Sequence, residues 1–495
     1  MKRVFKLFAI TLSFLMCISI FGCKNVKFTE EDLVTVNFYC FNDLHGNFLD
    51  ERNFDGGASL SVTKGYLDMY RQLKENMVIL STGDMWQGVV ESNNTRGKII
   101  TDWMNLAGFQ SMTVGNHEFD WGIDAIVENA QIAEFPILGI NIFEKATDTR
   151  PDVFSPSVLY DAGEVTIGII GAIGDCYSSI SYSQVSDYYF KVGDELTQLV
   201  KEESQKLTQQ GADFIVYTLH DGYTRNNKFN FNDVPTYSQE TLQDFYDVSL
   251  SNGYVDLVFE AHTHRTYLYK DEYGVFHAQA GSNNEKIASL EVEYNKVTDD
   301  VTVKDAKAIS TQYLIADSDP QVDALIDKYA DQIGDVYSVI GTNALTRSSY
   351  ELEERVAQLY LQAGMEKWGT SYDIFLGGGY LKTRSPYDLK AGEITFKDLH
   401  RLFPFDNNIV LCSVSGAKLK SQFVNTKNSD YHSAYSDFGN ANKSLIDDNA
   451  TYYIVVDTYT SDYAPNGLTV IDTYNVNGFY ARDLLKTYIE NGNYA

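Results

Sequence analysis

The chain has 495 residues, of which 44% are hydrophobic and 22% charged, and its formal net charge is −29. This length exceeds what one hydrophobic core organises and predicts two domains, at most three, of ordinary globular composition. So acidic a chain repels polyanions, which excludes binding duplex DNA or RNA through the phosphates; a small phosphorylated molecule stays open, because local cations override a distant, screened field.

Residues 1–23 read as an export signal. Lys2, Arg3 and Lys6 make a basic start, and Leu7 to Phe21 is almost wholly apolar, short for a membrane span. The run closes on Ile20-Phe21-Gly22-Cys23. A small residue before Cys resembles a bacterial lipoprotein junction, so Cys23 is expected to carry lipid. The mature protein is then expected on the extracellular face of a bacterial cytoplasmic membrane, touching the membrane only through that lipid, or secreted or periplasmic. Cys40, Cys176 and Cys412 follow without CxxC spacing, which gives neither a disulfide framework nor a thiolate metal site.

From residue 33 to 315 short apolar runs alternate with helical periodicity. Val34–Phe41, Met77–Leu80, Ser111–Val114, Val165–Ile170, Phe214–Leu219, Val255–Glu260 and Ser289–Tyr294 read as strands. Val62, Tyr66, Met69 and Leu73 recur at helical spacing, as do Leu196, Leu199, Val200 and Leu207. This alternation predicts a layered α/β domain. Over 319–340, Pro320 opens an apolar stripe of Val322, Leu325, Ile326, Tyr329, Ile333 and Val336, read as one linker helix. Residues 341–495 form the second domain, opening with a helix over Tyr350–Trp368 and closing with one near Ala481–Tyr488.

Five of those strands end in polar residues. The first runs into Asp43-Leu44-His45, the second into Gly83-Asp84, the third into Gly115-Asn116-His117-Glu118-Phe119-Asp120. The fourth reaches His220 and the fifth His262-Thr263-His264. Sites in open α/β sheets form beyond the carboxyl ends of strands, so these side chains are expected in one crevice. Only eight histidines occur, and five stand at these ends. Carboxylate, imidazole and amide oxygen together suit two adjacent divalent ions, an arrangement fitted to in-line attack on phosphorus.

Together, Asp43-x-His45, Gly83-Asp84-x-x-Gln87-Gly88, Gly115-Asn116-His117-Glu118, His220 and His262-x-His264 resemble the calcineurin-like metallophosphoesterases. Phe119-Asp120 and the C-terminal half narrow the likeness to the bacterial 5′-nucleotidase group. The resemblance implies a four-layer metallophosphoesterase β-sandwich flanked by helices, a helical linker and a C-terminal α+β substrate-binding domain. It implies one metal on Asp43, His45, Asp84 and His264, and another on Asp84, Asn116, His220 and His262; Mn, Zn, Co and Fe are all open. His117 would face the phosphate, with Asp120 fixing its ring.

Gly377-Gly378-Gly379, Arg384-Ser385-Pro386 and Phe403-Pro404-Phe405-Asp406-Asn407 resemble the nucleoside-clamping half of that group. Phe405 is expected to stack on a base, opposite Tyr459 or Tyr463, with Arg384 and Arg347 toward phosphate. Leu376 stands where the group has Asn, and Asp457-Thr458-Tyr459-Thr460-Ser461-Asp462-Tyr463 replaces its late glycine-bearing segment, which leaves the exact substrate open. The expected reaction is metal-dependent hydrolysis of a nucleoside monophosphate to nucleoside and phosphate. A 2′,3′-cyclic-nucleotide 2′-phosphodiesterase, a nucleotide-sugar pyrophosphatase, and a non-catalytic nucleotide-binding lipoprotein are the alternatives.

Overall fold

The computed structural model describes residues 28–50, 56–225, 228–238, 253–384, 388–462, 467–474 and 480–492. The signal run, Cys23 and Tyr463 lie outside the described residues. Strands β1 (Leu33–Phe41), β2 (Met77–Ser81), β3 (Ser111–Thr113) and β4 (Ile137–Leu138) alternate with helices α1 (Leu60–Leu73), α2 (Lys98–Ala107) and α3 (Gly122–Ala130). Next come β5 (Ser157–Asp161), β6 (Thr166–Ile173), α4 (Gly193–Gln209), β7 (Phe214–His220), β8 (Thr236–Tyr237) and β9 (Leu257–Phe259). β10 (Thr266–Asp271), β11 (Phe276–Ala280), β12 (Lys286–Asn295) and β13 (Asp300–Ser310) complete the region.

Two sheets result. One has the order β13-β12-β1-β2-β3-β4, the other β8-β10-β11-β9-β7-β6-β5. Period-two alternation explains how they stack. In β1, Val34, Val36, Phe38 and Cys40 pack with Ile167, Ile169, Phe214 and Val216 of the second sheet. The intervening Tyr39 and Phe41 pack with Leu60 and Leu67 of α1 and Trp103 of α2. Ile170, Ile215 and Tyr217 face outward onto Leu196, Val200 and Leu207 of α4. The layers therefore run helix, sheet, sheet, helix, and burial of these side chains, worth about 1.5–3 kcal/mol each, holds them together.

The 319–340 segment is corrected. Its stripe is buried against the first sheet's helices, but the helix breaks into α5 (Pro320–Lys328) and α6 (Ala330–Ile333). Gly334 follows at φ 71°, and Val339–Asn343 forms a strand, β14, paired with β16 (Gly392–Thr395). A glycine at positive φ directly after Ile333 stops the helix there, before the stripe reaches Val336.

The remaining elements are α7 (Ser349–Trp368), β15 (Ile374–Tyr380), α8 (Phe396–Leu402), β17 (Ile409–Ser415), β18 (Tyr431–Tyr435), β19 (Thr451–Asp457), β20 (Thr469–Thr473) and α9 (Ala481–Glu490). They build a sheet of order β18-β15-β19-β17-β20 with α7 lying on it. Gly377 permits that contact, since a Cβ there would run into the Leu361 backbone of α7.

Behind the end of β9 lies a buried polar knot. Glu260 accepts from Tyr267 and Tyr269 and meets Nδ1 of His277 at 2.6 Å. Nε2 of His277 is 3.5 Å from Asp271. Burial opposes protonation of His277, but Glu260 and Asp271 outweigh it and push its pKa up to about 9. The stability this gives is complete below the unfolded value near 6.5 and is lost as pH rises through about 9. The urea-unfolding advantage of wild type over His277→Gln should thus shrink by roughly 3 kcal/mol between pH 6 and pH 10. A constant difference across that range would contradict the charged pair.

Candidate active site

The five polar strand ends meet at one rim, which both sheets supply. β1, β2 and β3 of the first sheet bring Asp43, His45, Asp84, Asn116 and His117; β7 and β9 of the second bring His220, His262 and His264. The expected crevice thus lies at the shared edge of the two stacked sheets of the four-layer sandwich. Among the described residues, five of the eleven non-glycine positions with positive φ are Asp43, His45, Asp84, His262 and His264. Such backbone costs about 1–3 kcal/mol per residue and persists where the surroundings over-determine it.

The groups lie close enough for shared ligands. Ligand atoms of Asp43, His45 and His264 fall within 4.8 Å of one another, and so do those of Asp43, Asp84 and His220. Nε2 of His264 is 3.4 Å from Asp43, and Nε2 of His220 is 3.3 Å from Asp84. Oδ1 of Asn116 lies 3.1 Å from Nε2 of His220 and 3.0 Å from Nδ1 of His262. Two rings are fixed from behind: Nδ1 of His220 donates to the Thr82 carbonyl at 2.7 Å and Nδ1 of His45 to the Gln87 carbonyl at 2.9 Å. That leaves each Nε2 lone pair facing the rim, the tautomer a metal ligand needs.

Electrostatics sort the imidazoles. Burial, with Arg384 and His264 nearby, keeps His45 neutral, and burial with His220 lowers His262 to about 4. Burial resists a proton on His220 too, yet Asp84, Asp43 and Glu118 raise it to about 10. His117 is likewise raised: burial is outweighed by Asp120 and Asp84, and its Nδ1 lies 2.9 Å from the Asp120 carboxylate. Neutral imidazoles beside crowded carboxylates fit the donor set of a divalent-cation site, and a cation bound there would take the place of the His220 proton.

From the other unit Arg384 enters the same space. Its guanidinium lies 3.2 Å from Nε2 of His117 and 2.7 Å from Nε2 of His45. Phe405 stacks on His117 with centroids 5.8 Å apart, and the guanidinium carbon sits 5.7 Å over the Phe405 ring. A cavity of about 870 Å³ lies between the units, with His117, His264, Arg384, Phe405, Asp457 and Tyr459 in its wall.

Known proteins resemble this chain in sequence and in fold. Residues 333–440 match the family model for the 5′-nucleotidase C-terminal domain. The chain is 27% identical to Protein UshA of Yersinia enterocolitica over 91% of its own length and 90% of the relative's. It is 22% identical to a 5′-nucleotidase of Vibrio cholerae, covering 91% and 89%. Its fold matches that of a 5′-nucleotidase precursor from Thermus thermophilus with a TM-score of 0.68 at 17% identity, over 92% of this chain and 96% of that one. The chain thus carries a 5′-nucleotidase C-terminal domain over residues 333–440 and shares its fold with solved 5′-nucleotidases along nearly its whole length.

One expected contact is missing: Arg347 is not among the side chains lining the cavity. Its backbone is tied in both directions to Leu389 at 2.8 Å, just before the Ser348 cap of α7. Other residues matter more than their motifs suggested. Glu118 is fully buried; its carboxylate accepts from the amides of Asp84 and Met85 at 2.8 Å, Trp86 at 3.2 Å and Gly115 at 2.7 Å. Burial and Asp84 raise its pKa to about 7 against those bonds. Asp221, the residue after His220, accepts from the amides of Gly222 and Cys176 and ties two loops together. Gly115 admits no side chain, because a Cβ would meet the Asp84 carboxylate and lie 2.6 Å from the His220 ring.

Glu118→Ala strands four buried amide hydrogens and should loosen the rim. Mn²⁺ affinity measured by calorimetry is expected to fall about 10–100-fold, the usual cost of losing a ligand-orienting group. An unchanged affinity would contradict this role.

Proposed function

We propose that the chain is an exported 5′-nucleotidase that hydrolyses nucleoside monophosphates to nucleoside and phosphate. The observation that carries it is His117, raised in pKa and oriented by Asp120, set beside the Asp43/His45/Asp84/Asn116/His220/His262/His264 cluster and facing Arg384 across the cavity. The cluster is read as holding two divalent ions, one on Asp43, His45, Asp84 and His264, the other on Asp84, Asn116, His220 and His262; Mn, Zn, Co and Fe all suit these donors. When bound, such a pair supplies an activated water and neutralises phosphoryl oxygens.

The chain's own residues do the rest. Nη1 of Arg384 lies 3.2 Å from Nε2 of His117, so a phosphoryl oxygen entering between them would accept from the guanidinium and from Nε2–H of the protonated imidazole. As the water oxygen bonds to phosphorus and the ester P–O bond breaks, His117 gives its proton to the departing alkoxide, and the proton that the attacking water releases to solvent restores the one on His117. Asp120 keeps Nδ1 donating and Nε2 aimed inward. Phe405 and Tyr459 provide faces for a base, and Asp457, buried and raised to about 6 by that burial, offers a polar edge in the same wall. The relatives named as 5′-nucleotidases support this reading, and so does the cavity volume of about 870 Å³, which accommodates a nucleotide. For the exported location the support is the N-terminal signal pattern and Cys23; among the described residues no helix is long and apolar enough to cross a membrane.

With Mn²⁺ added, a panel of nucleoside monophosphates, 2′,3′-cyclic nucleotides, nucleotide sugars and simple phosphate esters should show the monophosphates turned over fastest. Turnover of simple esters with every nucleotide inert would remove the nucleotide claim. His117→Asn should lower kcat by about 100-fold to 10,000-fold with Mn²⁺ binding intact; a variant as active as wild type would remove His117 from the chemistry. Cys23→Ser should move the protein from the membrane fraction to the medium, and retention on the membrane would count against lipid anchoring.

A further inference from the structure

Arg384 belongs to the C-terminal unit, yet its guanidinium ends among imidazoles of the N-terminal rim. A long, flexible cation reaches one place repeatedly only if its backbone is fixed. Arg384 itself donates its amide to the Leu402 carbonyl at 2.9 Å. The stronger constraint is one residue earlier. Both the amide and the hydroxyl of Thr383 donate to Oε1 of Glu353, at 2.7 Å and 3.0 Å. The second oxygen of Glu353 lies 3.1 Å from Nε2 of His432 on β18.

Glu353 is only 8% exposed and sits on α7, whose apolar face is locked into the C-terminal core and whose start is closed by a Ser348/Glu351 capping box. Burial alone would raise its pKa, but His432 and the two Thr383 bonds lower it, so the acid stays ionised. A buried charged acceptor holds a backbone amide more firmly than a neutral one and is costly to leave half-paired. No step of the chemistry above uses Glu353, Thr383 or His432.

We infer that Glu353 is the positioning residue for Arg384: clamped between His432 and Thr383, it fixes the loop that delivers the guanidinium to the phosphoryl group. The inference rests on the reading that Arg384 meets the substrate's phosphoryl oxygens. It adds that affinity for phosphate is set partly from a carboxylate on a helix outside the reacting centre.

The test is a double-mutant cycle on the full-length, Mn²⁺-loaded protein, read by calorimetric binding of inorganic phosphate together with KM and kcat. Arg384→Ala should weaken phosphate binding about 10–100-fold. Glu353→Ala should weaken it to a comparable extent, and the double variant should bind no worse than Arg384→Ala alone. Glu353→Gln keeps a carbonyl acceptor for Thr383 and should stay within about threefold of wild type. Bound Mn²⁺ should be the same in all four. Should Glu353→Ala fail to fold, Thr383→Val replaces it: losing the hydroxyl bond should give a smaller loss that vanishes in the Arg384→Ala background. Additive effects, or a normal Glu353→Ala beside a weakened Arg384→Ala, would overturn the positioning role while sparing the reading of Arg384. Normal phosphate binding by Arg384→Ala would remove that reading and the inference with it.

Discussion

The site depends on one buried carboxylate gathering four backbone amides. Glu118 takes the N–H groups of Asp84, Met85, Trp86 and Gly115, so it joins the loop after β2 to the loop after β3. Asp84 is thereby held against Asn116 and His117, whose own amide donates to Asp84 at 2.8 Å. Without this staple, the buried carboxylates of Asp43 and Asp84 would have little reason to point at one spot. The left-handed backbone at Asp43, His45, Asp84, His262 and His264 is the other face of that constraint. Strain of this kind lasts because four packed layers beneath the rim leave the loops no better alternative.

The same crowding sorts the protons. His45 and His262 lie where burial and cationic neighbours keep them neutral, while His117 lies where Asp120 and Asp84 favour its charged form. Neighbouring imidazoles thus differ in protonation through their surroundings alone, some held neutral with a free lone pair and one favoured in its charged form. The second unit completes the arrangement from above. Arg384 and Phe405 close on His117, and bonds from Asn93 to the Pro404 carbonyl and from Trp121 to Asp406 fasten their segment to the catalytic unit. A buried Lys397–Glu91 pair adds a charge contact across the same seam.

Much of this was legible in the sequence, for identifiable reasons. The strands of the first region alternate apolar residues on both faces, as β1 does with Phe38 inward and Tyr39 outward, and their polar ends follow directly in the chain. Three features were not legible. The rim is shared by two sheets, and strand periodicity does not say which sheet a strand joins. The work of Glu118 goes to backbone amides, which carry no residue signature. The Arg384 loop is set by Glu353, thirty residues before Thr383, and by His432 on a different strand. The linker was half-read: its apolar stripe packs as expected, but Gly334 ends the helix and releases β14.

The central claim is that seven side chains from five strand ends hold a pair of divalent ions at that rim. Elemental analysis of the purified protein after equilibration with Mn²⁺ and removal of free ion measures it directly. Two ions per chain in wild type, with fewer than one in Asp84→Ala, is the outcome that follows from a bridging carboxylate. A wild-type chain that retains none, or an Asp84→Ala chain that retains as many as wild type, would contradict it.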